Sequence, residues 1–119
     1  MQFTLLYHEQ PSEMQRRGAA DADAYWGAWT AYMGAMSAAG VMVGGNGLLP
    51  PDTATTLRIE NGKWQVHDGP FADTKEQLGG YVVINVADLD AALEWAARAP
   101  CAAAGSVEIR PVMPSPPGN

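Results

Sequence analysis

Gly79-Gly80-Tyr81-Val82-Val83-Ile84-Asn85-Val86-Ala87-Asp88 carries the strongest structural signal in the chain. Val82, Ile84 and Val86 fall on one parity and Tyr81, Val83 and Asn85 on the other, so neither face of a strand over 81–86 is polar throughout. That pattern belongs to a central strand. Asp88 then stands as an N-cap before Leu89, Ala92, Leu93 and Ala96, an apolar stripe at helical spacing that Pro100 terminates.

On the N-terminal side of this unit, Thr55 to Glu60 and Lys63 to Asp68 are strand-like runs separated by Asn61-Gly62, the preferred pair for a type I′ turn. The resulting hairpin pairs Glu60 with Lys63 and Ile59 with Trp64, and it puts Leu57, Ile59, Trp64 and Val66 on one face. Further back, Tyr25, Trp29, Tyr32, Met36 and Ala39 recur every three or four residues between Asp21, an N-cap candidate, and Gly40, so a first helix buries an aromatic stripe. Its other face carries Gly27, Ala31, Gly34 and Ala38, where each internal glycine costs about 1 kcal/mol against alanine. Val41-Met42-Val43 running into Gly44-Gly45-Asn46-Gly47 predicts a strand with a glycine bulge, and residues 73–78 are compatible with a helical turn. The chain opens on Phe3, Leu5 and Tyr7 in strand alternation, followed by a polar connection from His8 to about Ala20. It closes on a strand in which Val107 and Ile109 alternate with Glu108 and Arg110.

Strand, helix, strand, hairpin, strand, helix, strand is the order of a ferredoxin-like α+β layer, with an antiparallel sheet, two helices on one face and an inserted hairpin. Two helices cover one face only. Apolar residues on both parities of the central strand therefore predict a homodimer closed through the sheet. A single domain is expected over 1–113, with a flexible Pro-rich tail over 114–119.

Thirteen acidic against seven basic side chains give a net charge of −6, which argues against nucleic-acid binding. The opening apolar run is too short for a membrane span or a signal core, and the lone Cys101 can make neither an internal disulfide nor a cysteine metal site, so a cytoplasmic location is expected. No metal cluster or dinucleotide loop is visible, so neither metal nor other cofactor is expected. Gly44 to Gly47 leads into no helix and reads as a bulge, not an anion cradle, and Cys101 reads as an inert small residue.

Asp68 is the most informative polar residue, because strand parity turns it toward Trp64 and Val66. It is either a desolvated acid or base, or a turn acceptor in Asp68-Gly69-Pro70. His8, at the end of the first strand, can act as a base oriented by that carboxylate or can be a loop histidine beside Glu9. Lys75 and Glu76 offer charge and proton transfer at the lip of a pocket, or form a solvated pair. Arg110 shares a face with Glu108 and, with Tyr7 and Tyr81, completes the ligand-binding candidates.

The run Asp68-Gly69-Pro70-Phe71-Ala72-Asp73-Thr74-Lys75-Glu76-Gln77-Leu78-Gly79-Gly80-Tyr81 resembles the signature of the DGPF group of YCII-related proteins. The likeness extends to Gly44-Gly45-Asn46-Gly47-Leu48, Ala91-Ala92-Leu93-Glu94-Trp95-Ala96 and Gly105-Ser106-Val107-Glu108-Ile109-Arg110-Pro111-Val112. The resemblance implies a ferredoxin-like dimer of the dimeric α/β-barrel type. It implies a His and Asp pair as a small active site, for which this chain offers His8 and Asp68 since its first helix has no histidine, and it implies a link with extracytoplasmic-function sigma factors. Two functions follow as alternatives. One is a small-molecule pocket serving a cofactor-free proton transfer, elimination or isomerisation; the other is a non-catalytic regulatory role beside a sigma factor.

Overall fold

The computed structural model describes residues 1–115; the last four positions of the expected tail lie outside the described residues. The elements are β1 (Gln2–Glu9), α1 (Pro11–Met14) running into a 3-10 turn (Gln15–Gly18), α2 (Ala22–Ala38), β2 (Met42–Gly47), a second 3-10 turn (Pro51–Thr53), β3 (Thr55–Glu60), β4 (Lys63–Asp68), β5 (Gln77–Asn85), α3 (Leu89–Ala97) and β6 (Ser106–Pro111). One antiparallel sheet runs β2-β5-β1-β6, and β3-β4 pair separately. That strand order is ferredoxin-like, with the hairpin inserted between β2 and β5.

Phe3, Leu5 and Tyr7 of β1 and Val82 and Ile84 of β5 face one core with Tyr32 and Met36 of α2 and Ala92 and Ala96 of α3. Both helices therefore cover the same sheet face. Asn61 and Gly62 adopt φ of 52° and 74°, the left-handed pair a type I′ turn requires, and the hairpin register is the one read from the sequence. Gly40 (φ 73°) ends α2, and the Asp88 side chain accepts from the Ala91 N–H at 2.9 Å to start α3.

Several local expectations are corrected. Residues 73–78 hold no helical turn, since β5 begins at Gln77 and Gly79-Gly80 lie within it. The connection expected from His8 begins later, since β1 runs to Glu9, and it carries α1, whose first position Pro11 suits. Asp21 occupies the N-cap of α2, yet its carboxylate is taken by Arg16 Nε at 2.6 Å and does not cap. Leu89 and Leu93 are exposed; the residues of this segment buried in the core are the small Ala92 and Ala96 and, just past the helix, Ala99.

β2 approaches β5 closely enough that a Cβ on Gly45 would lie 2.9 Å from Val82 Cα and collide with the Tyr81 carbonyl, whereas nothing lies within 4 Å of one on Gly34. Gly45→Ala should therefore destabilise by about 1–3 kcal/mol and Gly34→Ala should stabilise by up to about 1 kcal/mol. Urea unfolding of the two variants reads both signs.

Candidate functional site

The alternation that buries Phe3, Leu5 and Tyr7 continues one step further and carries Glu9 into the helix side of the sheet, where the residue is 2% exposed. A carboxylate that deep must be paired. Tyr25 Oη donates to it, 2.7 Å from Oε1 and 2.9 Å from Oε2, and Arg17 Nη2 lies 3.5 Å from Oε2. Arg17 Nε donates to Tyr25 Oη at 3.1 Å, and its two terminal nitrogens donate to the carbonyls of Leu48 (2.6 Å) and Gly79 (3.1 Å). Burial, with Glu9 adding to it and Arg17 opposing it, pushes the Tyr25 hydroxyl up to about 12. Tyr25 thus stays protonated near neutral pH and gives its one hydrogen to Glu9. A carboxylate offers about four acceptor sites, so Glu9 keeps unused lone pairs.

This cluster closes one end of a cleft of about 620 Å³ between α2 and the sheet. Trp26, Trp29, Met33 and Gly34 line its helix side; Gly45, Gly47, Gly79 and Gly80 line its sheet side. The space exists because so many lining positions lack side chains. A Cβ on Gly79 would lie 3.0 Å from both Arg17 Nη2 and Glu9 Oε2, so any other residue there would press on the polar cluster. Trp29 stands edge-on to Tyr7 with ring centroids 5.0 Å apart. The Tyr7 and Tyr32 hydroxyls are 2.9 Å apart, and since Tyr32 gives its hydrogen to the Trp95 carbonyl at 3.1 Å, Tyr7 is the donor of that pair. Burial raises both tyrosines above their ordinary range.

Tyr7 and Tyr81 are among the residues lining the cleft. His8, Lys75 and Glu76 meet elsewhere, in an open depression with Thr74, Ser106 and Glu108, where Ser106 Oγ donates to Glu76 Oε1. Asp68 ends β4 exposed and lines neither concavity. The turn after it is held by the Gly69 N–H on the Ala54 carbonyl and by Thr56 Oγ1 on the Gly69 carbonyl, rather than by the Asp68 side chain. Arg110 is exposed and paired with Glu108 at 2.6 Å. Burial pushes the Cys101 thiol up to about 12, which keeps it protonated and unreactive near neutral pH. Among the described residues, no group of three or more His, Cys, Asp or Glu side chains assembles as a metal-ligand set, and no helix is long and apolar enough to cross a membrane.

Sequence reasoning missed Glu9, Arg17 and Tyr25 as a cluster. The available signal was parity: Glu9 has the same strand phase as Tyr7, and Tyr25 begins the buried stripe of α2.

An antiparallel ferredoxin-like sheet with a cleft under α2 defines a small α+β domain with room for an organic ligand. Residues 1–116 match the YCII-related domain, and the chain belongs to that family. An uncharacterised protein of Rhizobium meliloti is 47% identical over 74 residues, and the matched stretch spans 60% of each chain. In structure the chain resembles 5-chloro-2-hydroxyhydroquinone dehydrochlorinase from Burkholderia phenoliruptrix, solved with 2,5-dihydroxybenzoquinone. The TM-score is 0.56 and the sequence identity 16%, over 95% of this chain and 94% of that one.

The Tyr25 shift sets a pH dependence with a defined sign. Its folded value lies above the ordinary 10.0, so the stability it contributes is complete below about pH 10 and is lost as pH rises toward about 12. The gap in urea midpoint between wild type and Tyr25→Phe should be constant from pH 7 to 9 and shrink between pH 10 and 12.

Proposed function

We propose that this protein is a small-molecule-processing enzyme whose chemistry is a cofactor-free proton transfer or elimination in the cleft under α2. The observation that carries the reading is the buried Glu9 carboxylate, which has spare acceptor sites at the end of an aromatic cleft. Glu9 takes a proton from the bound molecule. In an elimination, the electron pair of the broken bond moves into the ring or chain and expels the leaving group, so no electron donor or acceptor is consumed. Tyr25 and Arg17 hold the carboxylate in place. The dehydrochlorinase that shares the fold supports the elimination form of this reading, since loss of HCl is such a step.

Release of chloride from a chlorinated hydroxyhydroquinone, followed with a chloride electrode, tests the chemistry. Glu9→Gln should lower turnover by at least about 100-fold, in the range removal of a general base produces, while circular dichroism shows the fold retained. Full activity of Glu9→Gln would sink the assignment.

The homodimer is part of the same proposal. Leu57, Ile59, Trp64 and Val66 are exposed together on the hairpin, a patch that calls for a cover. The open depression with His8, Lys75 and Glu76 is where a partner's sheet would add residues, with the exposed Asp68 available to it across the interface. The same hairpin patch favours the regulatory alternative, in which a sigma-factor-linked partner occupies it. Sedimentation should give a dimer for wild type and a folded monomer for Trp64→Asp, because Trp64 is 73% exposed in the single chain and contributes little to its core.

A further inference from the structure

The α2 residues that line the cleft are Tyr25, Trp26, Trp29, Thr30, Met33, Gly34 and Ser37, one helical stripe more than three turns long. At 1.5 Å per residue the trough extends about 18 Å along the helix. Its polar cluster sits at one end. Trp29, Met33 and Val82 line the middle with apolar surface beside Thr30, and at the far end Ser37 Oγ donates to Met42 Sδ at 3.7 Å. A single hydroxylated ring would fill only a fraction of about 620 Å³.

The polar end also discriminates by charge. Among the described residues, Arg17 is the only cationic side chain lining the cleft, and its nitrogens are occupied by Tyr25 Oη, the Leu48 and Gly79 carbonyls and Glu9. An anionic head group would meet the Glu9 carboxylate with no free cation to offset it. A neutral O–H donor would meet an acceptor with unused lone pairs.

We infer that this cleft takes an elongated amphipathic molecule, a neutral hydroxyl-bearing ring carrying an apolar extension, with its O–H donated to Glu9 and its extension laid along α2. The inference rests on the cleft being the functional site, and it adds a size and a charge class. The same geometry disfavours a carboxylate head group against a phenol of equal chain length.

The test is binding of phenol, 4-butylphenol, 4-octylphenol, 4-octylanisole and 4-octylbenzoate, read by quenching of tryptophan emission and by thermal shift. Each added methylene buried along α2 is worth about threefold in affinity, so 4-octylphenol should bind at least about 100-fold more tightly than phenol. The anisole, which cannot donate, and the benzoate, which is charged, should each be at least about tenfold weaker than 4-octylphenol. Gly34→Phe places a ring where nothing lies within 4 Å of the Cβ and should abolish this binding without unfolding the protein. An affinity independent of chain length, or a benzoate that binds as well as the phenol, would overturn the ligand class while loss of binding in Gly34→Phe left the cleft reading standing. Unchanged binding of every probe to Gly34→Phe would overturn both.

Discussion

A carboxylate with 2% exposure cannot be left without donors, and satisfying Glu9 organises one whole end of the molecule. Tyr25 reaches it from the first turns of α2 and Arg17 from the 3-10 turn that precedes α2. Arg17 is held in turn by the carbonyls of Leu48, just past β2, and Gly79, in β5. Five separate parts of the chain meet on one ion pair and its hydroxyl bridge. Each guanidinium nitrogen has a backbone or side-chain acceptor, which fixes the orientation of the Arg17 fork. The polar connection after β1 is ordered for this reason: residues 11–18 are short of apolar surface but deliver Arg17 to a site that needs its charge.

The second constraint is negative space. A helix packed on a sheet normally fills the interval between them with side chains, yet along this trough the sheet side presents Gly45, Gly47, Gly79 and Gly80 and the helix side presents Gly34. These glycines differ in cause. Gly45 is needed because β2 and β5 approach too closely there for a Cβ, Gly80 would meet β2 backbone in tight contact, and a Cβ on Gly79 would press on Glu9 and Arg17. Gly34 meets nothing within 4 Å and lowers helix propensity with no packing in return. At that position the missing side chain leaves room on the helix side of the trough.

The layer order, the helix-covered face and the hairpin register were legible because each is a local pattern repeated over several residues: alternation in β1 and β5, three-four spacing in α2, Asn61-Gly62 at the turn. The errors arose where one residue has two competing partners. Asp21 resembles a cap but serves Arg16, and Leu89 and Leu93 resemble a core stripe, although only the smaller Ala92 and Ala96 of α3 are buried. The candidate site was less legible. Motif reasoning favours polar residues in turns, such as Asp68 and Lys75, whereas Glu9 sits inside a strand at a position whose phase alone reveals it. His8, one residue away, has the opposite phase and so belongs to the other depression.

That opposition of phase separates two kinds of demand on a thin molecule, whose principal extents are 51 × 48 × 19 Å. The helix side of the sheet holds the core and the trough. The other side holds half-buried Leu6 and Val83, cross-strand neighbours of Glu108 and Thr4, with no helix over them among the described residues. A second sheet laid on that side would bury Leu6 and Val83 without entering the trough. The alternation of β1 therefore keeps the two faces apart: residues of odd phase, ending in Glu9, face the core and the trough, and those of even phase, ending in His8, face the uncovered side.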